Sequence, residues 1–140
     1  MHWFYWALFA AFIWGIAPIL EKLGLGSVAP AAGLFYRCLG VLLGLLVLVI
    51  FIVKPEEIRS VDLRSAMLLA MGGFLASFVA QIFFYNALKS GNVSAVVPLS
   101  GSYPLIAFML GVLLLGESFS YFRVFGVALI VAGIWFLRAG

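Results

Sequence analysis

PAAGLFYRCLGVLLGLLVLVIFIV, residues 30–53, carries a single charged side chain, Arg37. A helix needs about 20 mostly apolar residues to cross a bilayer, and this run is long enough. It is continuously apolar and does not alternate, so it reads as a helix and not as a barrel strand. Similar runs cover residues 3–20, 65–88, 93–115 and 121–137. The expectation is an all-α integral membrane protein with five transmembrane helices in one domain over residues 1–140. Composition points the same way. Hydrophobic residues make up 66% of the chain and charged residues 9%, against roughly 45–50% and about 25% in soluble domains. So apolar a chain is not disordered. It also lacks the polar residues to coat a soluble monomer.

The net charge of +3 rests on eight Lys and Arg against five Asp and Glu, with no basic run. Cationic flanks of membrane helices explain it, and no nucleic-acid partner is expected. Cys38 is the sole cysteine and can form no internal disulfide. The start, Met1-His-Trp-Phe-Tyr-Trp6, has no Lys or Arg and no clear cleavage site, so the first run is expected to stay in the membrane. Residues 54–64, KPEEIRSVDLR, form the only charged connection, an interfacial turn followed by Asp62 or Ser60 as a helix cap. Trp3, Tyr5, Trp6, Tyr121 and Trp135 fall near span ends, where an aromatic belt would put them.

An odd number of spans puts the termini on opposite faces. Lys54, Arg59, Arg64 and Arg123 then share the N-terminal face, and Lys22, Lys89 and Arg138 the other, with Arg37 intermediate. This near tie permits two readings. Either the chain inserts one way with its N-terminus inside, or both orientations are made and paired.

The third span repeats Gly73, Ser77, Gln81, Tyr85 and Lys89 at four-residue spacing, with Asn86 beside Tyr85. Such a stripe lies on one helix face. It serves as interhelical hydrogen-bonding glue or as the lining of a cavity. The fourth span places Ser94, Pro98 and Ser102 on one face and adds Gly101, Tyr103 and Pro104. Two prolines kink or loosen a helix, and interrupted helices occur at transporter binding sites. In the first span Ala7, Ala11 and Gly15 permit close packing, and Trp14, Pro18 and Glu21 share an adjoining face. Glu21 lies at the span's end beside Lys22, so it reads as interfacial, and proton coupling through it is not expected. In the second span Gly33, Arg37, Gly40 and Gly44 share a face. Arg37, some 10 Å along the helix from Pro30, either snorkels to the headgroups or pairs with Glu21. Glu117 is expected to fix the turn into the fifth span. The candidate cavity residues are therefore Trp14, Ser77, Gln81, Tyr85, Asn86, Pro98, Ser102 and Tyr103, and the charged candidates are Glu21, Lys22 and Arg37. No catalytic constellation is visible. The one histidine, His2, is terminal; no cluster suits a metal, no serine has a triad partner, and no cofactor is expected.

Trp14-Gly15, Lys22, Arg37, Tyr85-Asn86-Ala87-Leu88, Pro98-Leu99, Gly116-Glu117, Gly126 and Gly133, in that order, resemble one EamA unit. That unit is the five-helix repeat of the drug/metabolite transporter superfamily, and the likeness covers essentially the whole chain. Typical members carry two units of inverted topology, ten helices in all, with the substrate cavity between them. The resemblance implies a multi-pass protein of the cell (inner or plasma) membrane that moves small organic metabolites or drug-like compounds by alternating access. A single unit implies an antiparallel homodimer, with the first four helices lining the cavity and the fifth peripheral. The alternative is half of a heteromeric transporter or an accessory subunit. The four-helix small multidrug resistance relatives carry their essential glutamate inside the first helix; Glu21 lies nearer the end.

Overall fold

The computed structural model describes residues 3–139. Every regular element among them is helical. Four helices are long and apolar enough to cross a membrane: Trp3–Gly24, Pro30–Ile52, Leu63–Ser90 and Val93–Leu115. A fifth apolar helix, Tyr121–Leu137, is shorter. The chain is thus a multi-pass helical membrane protein. The first and third long helices run past the expected 3–20 and 65–88, because charged residues at their ends, Glu21, Lys22, Arg64 and Lys89, continue the helical turns. His2 lies outside the described residues.

The chain divides into two compact units, one ending at Lys89 and the other starting at Ser90. The first holds α1 (Trp3–Gly24), α2 (Pro30–Ile52), a short α3 (Pro55–Arg59) and α4 (Leu63–Ser90), of which only Ser90 falls in the second unit. Pro30 opens α2 from an extended Ala29, a position where its missing N–H costs nothing. Extended Val53 ends α2 and extended Lys54 precedes Pro55, the conformation a residue before proline prefers. Asp62 caps α4: its Oδ2 accepts from the Ser65 amide at 2.9 Å. That bond holds the Asp62 carboxyl below the usual carboxylate range. Ser60, the other candidate cap, donates its hydroxyl to the Glu57 carbonyl of its own turn.

Neither α2 nor α4 is regular throughout. α2 closes on a wide π turn, Leu48–Ile52, and α4 contains another, Leu75–Val79, between ordinary helical stretches. A π turn inserts one residue into the helix, so it changes which side chains share a face and loosens the carbonyl ladder locally.

The buried core of this unit is small. Leu25, Leu34, Tyr85 and Leu88 are each 4% exposed or less. They gather where α1 ends, α2 begins and α4 ends. Gly33 lies against them: a Cβ there would meet Leu25 Cδ2 at 2.6 Å and Tyr85 Cε2 at 3.3 Å. Along the rest of these helices Leu, Ile and Phe side chains such as Leu43, Phe51 and Leu69 are exposed, as expected of surfaces whose solvent is lipid.

The second unit holds α5 (Val93–Ser100), α6 (Tyr103–Leu115) and α7 (Tyr121–Ala139). α5 and α6 form one span broken at Gly101-Ser102, where the Gly101 amide donates to the Val97 carbonyl at 2.8 Å. Pro98 and Pro104 remove the two donors that would serve the Ser94 and Ser100 carbonyls, which explains the break. Gly116 ends α6 with φ +66°, a left-handed turn that glycine adopts without penalty. The chain folds back there, and the Glu117 carboxyl carbon lies 3.3 Å from a Cβ placed on buried Gly111. Arg123 Nη1 stands 3.7 Å from Glu117 Oε2.

Candidate functional site

Four polar side chains of the first unit, Glu21, Arg37, Gln81 and Tyr85, converge on one point. Glu21, in the last turn of α1, accepts on Oε1 from Arg37 Nε of α2 and from Gln81 Nε2 of α4, each at 3.3 Å. Arg37 Nη1 donates to the Ser77 backbone carbonyl at 3.1 Å. The Tyr85 hydroxyl faces the Glu21 carboxylate and the Gln81 amide, with Arg37 nearby. Three helices thus supply a carboxylate, a guanidinium, an amide, a phenol and a carbonyl within an otherwise apolar body. Of the two expectations for Arg37, pairing with Glu21 is the one observed.

Each partner is delivered by a local feature of the chain. Ser77 sits in the π turn Leu75–Val79, where the widened ladder lets its carbonyl turn to Arg37. Gly33, one turn before Arg37, leaves room for the Tyr85 ring. The ion pair makes one contact, and 3.3 Å exceeds the 2.7–2.9 Å usual for charge-assisted bonds. The Arg37 and Glu21 side chains remain 27% and 18% exposed. The pair therefore has hydrogen-bonding capacity that its internal contacts leave unused.

A second polar feature closes the same end of the unit. Lys22 Nζ donates to the Leu88 carbonyl at 2.5 Å and the Lys89 carbonyl at 3.5 Å. Lys89 Nζ donates to the Leu25 and Gly26 carbonyls at 2.5 and 2.6 Å. Lys22 thus caps the last carbonyls of α4, where a cation also complements the helix dipole, and Lys89 holds the two carbonyls that follow the end of α1. A cavity of about 230 Å³ lies between the two lysines, Leu25 and Gly26.

The remaining candidates lie elsewhere. Trp14 is exposed on α1. Asn86, next to Tyr85, is exposed and donates to the Ile82 carbonyl of its own helix at 2.8 Å. Pro98, Ser102 and Tyr103 belong to the second unit, at the break between α5 and α6; Pro98 and Ser102 are half-buried and Tyr103 is exposed. Sequence reasoning missed the lysine exchange, and it missed that Ser77 contributes its carbonyl. The only hint of the π turn is the Gly72-Gly73 pair just ahead of it, a weak point for a regular helix.

The sequence profile of the EamA-like transporter family matches residues 1–139. The chain belongs to the EamA-like transporter family. Among curated proteins it is similar to an uncharacterized transporter of Sinorhizobium sp, 27% identical over 131 residues that cover 94% of this chain and 92% of that one. An uncharacterized protein of Methanocaldococcus jannaschii is 28% identical, with 91% and 89% covered. An uncharacterized transporter of Archaeoglobus fulgidus is 23% identical over 94% of this chain but only 46% of its own length. No solved structure matches significantly. One EamA-like unit thus occurs both in relatives about the length of this chain and as part of a relative roughly twice as long.

Proposed function

We propose that this EamA-like protein is a transporter of small organic metabolites or drug-like compounds, working by alternating access as an antiparallel homodimer in the cell membrane. The observation that carries the reading is the Glu21–Arg37–Gln81–Tyr85 cluster. Charged and amide groups are costly in a bilayer and are retained where a solute or a partner group meets them. The nearly even split of Lys and Arg between the two faces supports pairing of oppositely inserted copies. The relative of twice the length supports it too, since two fused units would supply what two copies supply here. In this reading the five apolar helices all span and residues 1–140 act as one transmembrane domain.

The test is flux of a candidate solute panel in proteoliposomes, beside dimer yield by crosslinking. Gln81→Leu and Tyr85→Phe are expected to lower flux while dimer yield holds. Tyr85→Phe is the informative change at that position because it removes the hydroxyl and keeps a ring that the core requires. Lost dimer with normal flux per dimer would mean that the stripe is packing glue, which is worth about 0.6–2 kcal/mol per hydrogen bond.

A further inference from the structure

We infer that Arg37 sets the charge class of the solute by occupying Glu21 as an internal cation, so that the site accepts polar or amphipathic solutes without net charge and rejects lone ions. The inference rests on reading the cluster as the solute-facing part of the transporter.

A carboxylate that is mostly withdrawn from solvent among apolar helices favours a cation as partner, and Glu21 is 18% exposed. Arg37 meets that demand through Nε at 3.3 Å. It is not a loose counter-ion. Its Nη1 is tied at 3.1 Å to the Ser77 carbonyl, a backbone acceptor presented by the π turn. A cationic solute that took the place of Arg37 on Glu21 would break the Nε contact and leave a guanidinium, still held by the Ser77 carbonyl, without its carboxylate. An anionic solute reaching for Arg37 would strand Glu21, which Gln81 Nε2 also holds at 3.3 Å. Either displacement leaves one part-buried charge without its partner, at a cost that the 18–27% exposure of the pair lowers but does not remove. A solute of zero net charge pays neither cost. It can hydrogen-bond to the exposed edges of the pair and to the Gln81 amide with the pair intact.

The two charges are therefore separable by mutation. Arg37→Gln leaves Glu21 as a bare cation site, and Glu21→Gln leaves Arg37 as a bare anion site. The experiment measures equilibrium binding of benzyltrimethylammonium and of benzenesulfonate, aromatic ions of similar size, to the full chain in phosphatidylcholine nanodiscs. Native protein is expected to bind neither saturably. Arg37→Gln should bind the cation saturably, and Glu21→Gln the anion, each with an affinity at least about tenfold above the detection limit that native protein sets, after discounting the pair for its partial exposure. Glu21→Gln/Arg37→Gln should bind neither. A single variant that folds poorly should be rescued in yield and melting temperature by its matching ion only, because a ligand that binds the folded state stabilises it. Saturable binding of either ion to native protein overturns the inference. So does equal binding by a single variant and the double variant, or a variant that no matching ion binds or rescues. The readout is binding, so a protein that shows this selectivity but moves no solute would sink the transport reading alone.

Discussion

Tyr85 serves two purposes at once. Its ring is 3% exposed in the small core of the first unit, while its hydroxyl faces the Glu21 cluster. Gly33 makes that possible, since any Cβ there would press on Leu25 and on the Tyr85 ring. Gly33→Ala is therefore expected to destabilise the protein by about 1–3 kcal/mol, the usual cost of overpacking a well-filled site. Gly40→Ala, on the same helix with open space around it, is expected to be neutral or slightly stabilising. Thermal unfolding of both variants in one detergent checks this; equal melting temperatures would show that Leu25 and Tyr85 yield without cost. The four-residue spacing of Ser77, Gln81 and Tyr85 was readable as one face. That Asn86 turns back to its own helix was not, because one step along a helix moves a side chain about 100° around the axis and only the neighbouring helices say which side is inside.

Two local irregularities carry the site at the level of elements. The π turn in α4 turns the Ser77 carbonyl toward Arg37, and the helix ends are joined by the exchange between Lys22 and Lys89. Lys22 holds the end of α4, and Lys89 the end of α1. Both sequence positions were expected on one face, and the exchange joins the two helices there. Lys22→Met and Lys89→Met are each expected to cost about 1 kcal/mol or more, since each removes charged donors from backbone carbonyls. The two changes should be non-additive, because they loosen the same junction. A double-mutant cycle by chemical denaturation in micelles measures the coupling; simple additivity would mean that the two lysines act independently.

At the scale of the whole molecule, the proposed pairing rests on how Lys and Arg divide between the two faces. With Lys54, Arg59, Arg64 and Arg123 set against Lys22, Lys89 and Arg138, a reporter active on one side of the membrane, fused to the C-terminus, is expected to show both orientations. Neutralising Arg59 and Arg64 should shift that population, because short-loop Lys and Arg set the direction of insertion. A signal from one side only, unmoved by these changes, would exclude dual topology. The class of the molecule is written along the chain: apolar length, helical continuity and the polar stripe are properties of neighbouring residues, and the EamA likeness is an ordered set of such residues. A cap at Asp62 or Ser60, the loosening of the fourth span by Pro98 and Pro104 and its end at Gly116 are legible for the same local reason; the bond to the Ser65 amide selects Asp62. It takes the packed helices to bring Arg37 to Glu21 instead of the headgroups, to add the Ser77 carbonyl, and to cross the two lysines between helix ends. Those contacts join residues 16 to 67 positions apart, and which of them form depends on which helices lie side by side and where an extra residue rotates one of them, neither of which is written in any single span.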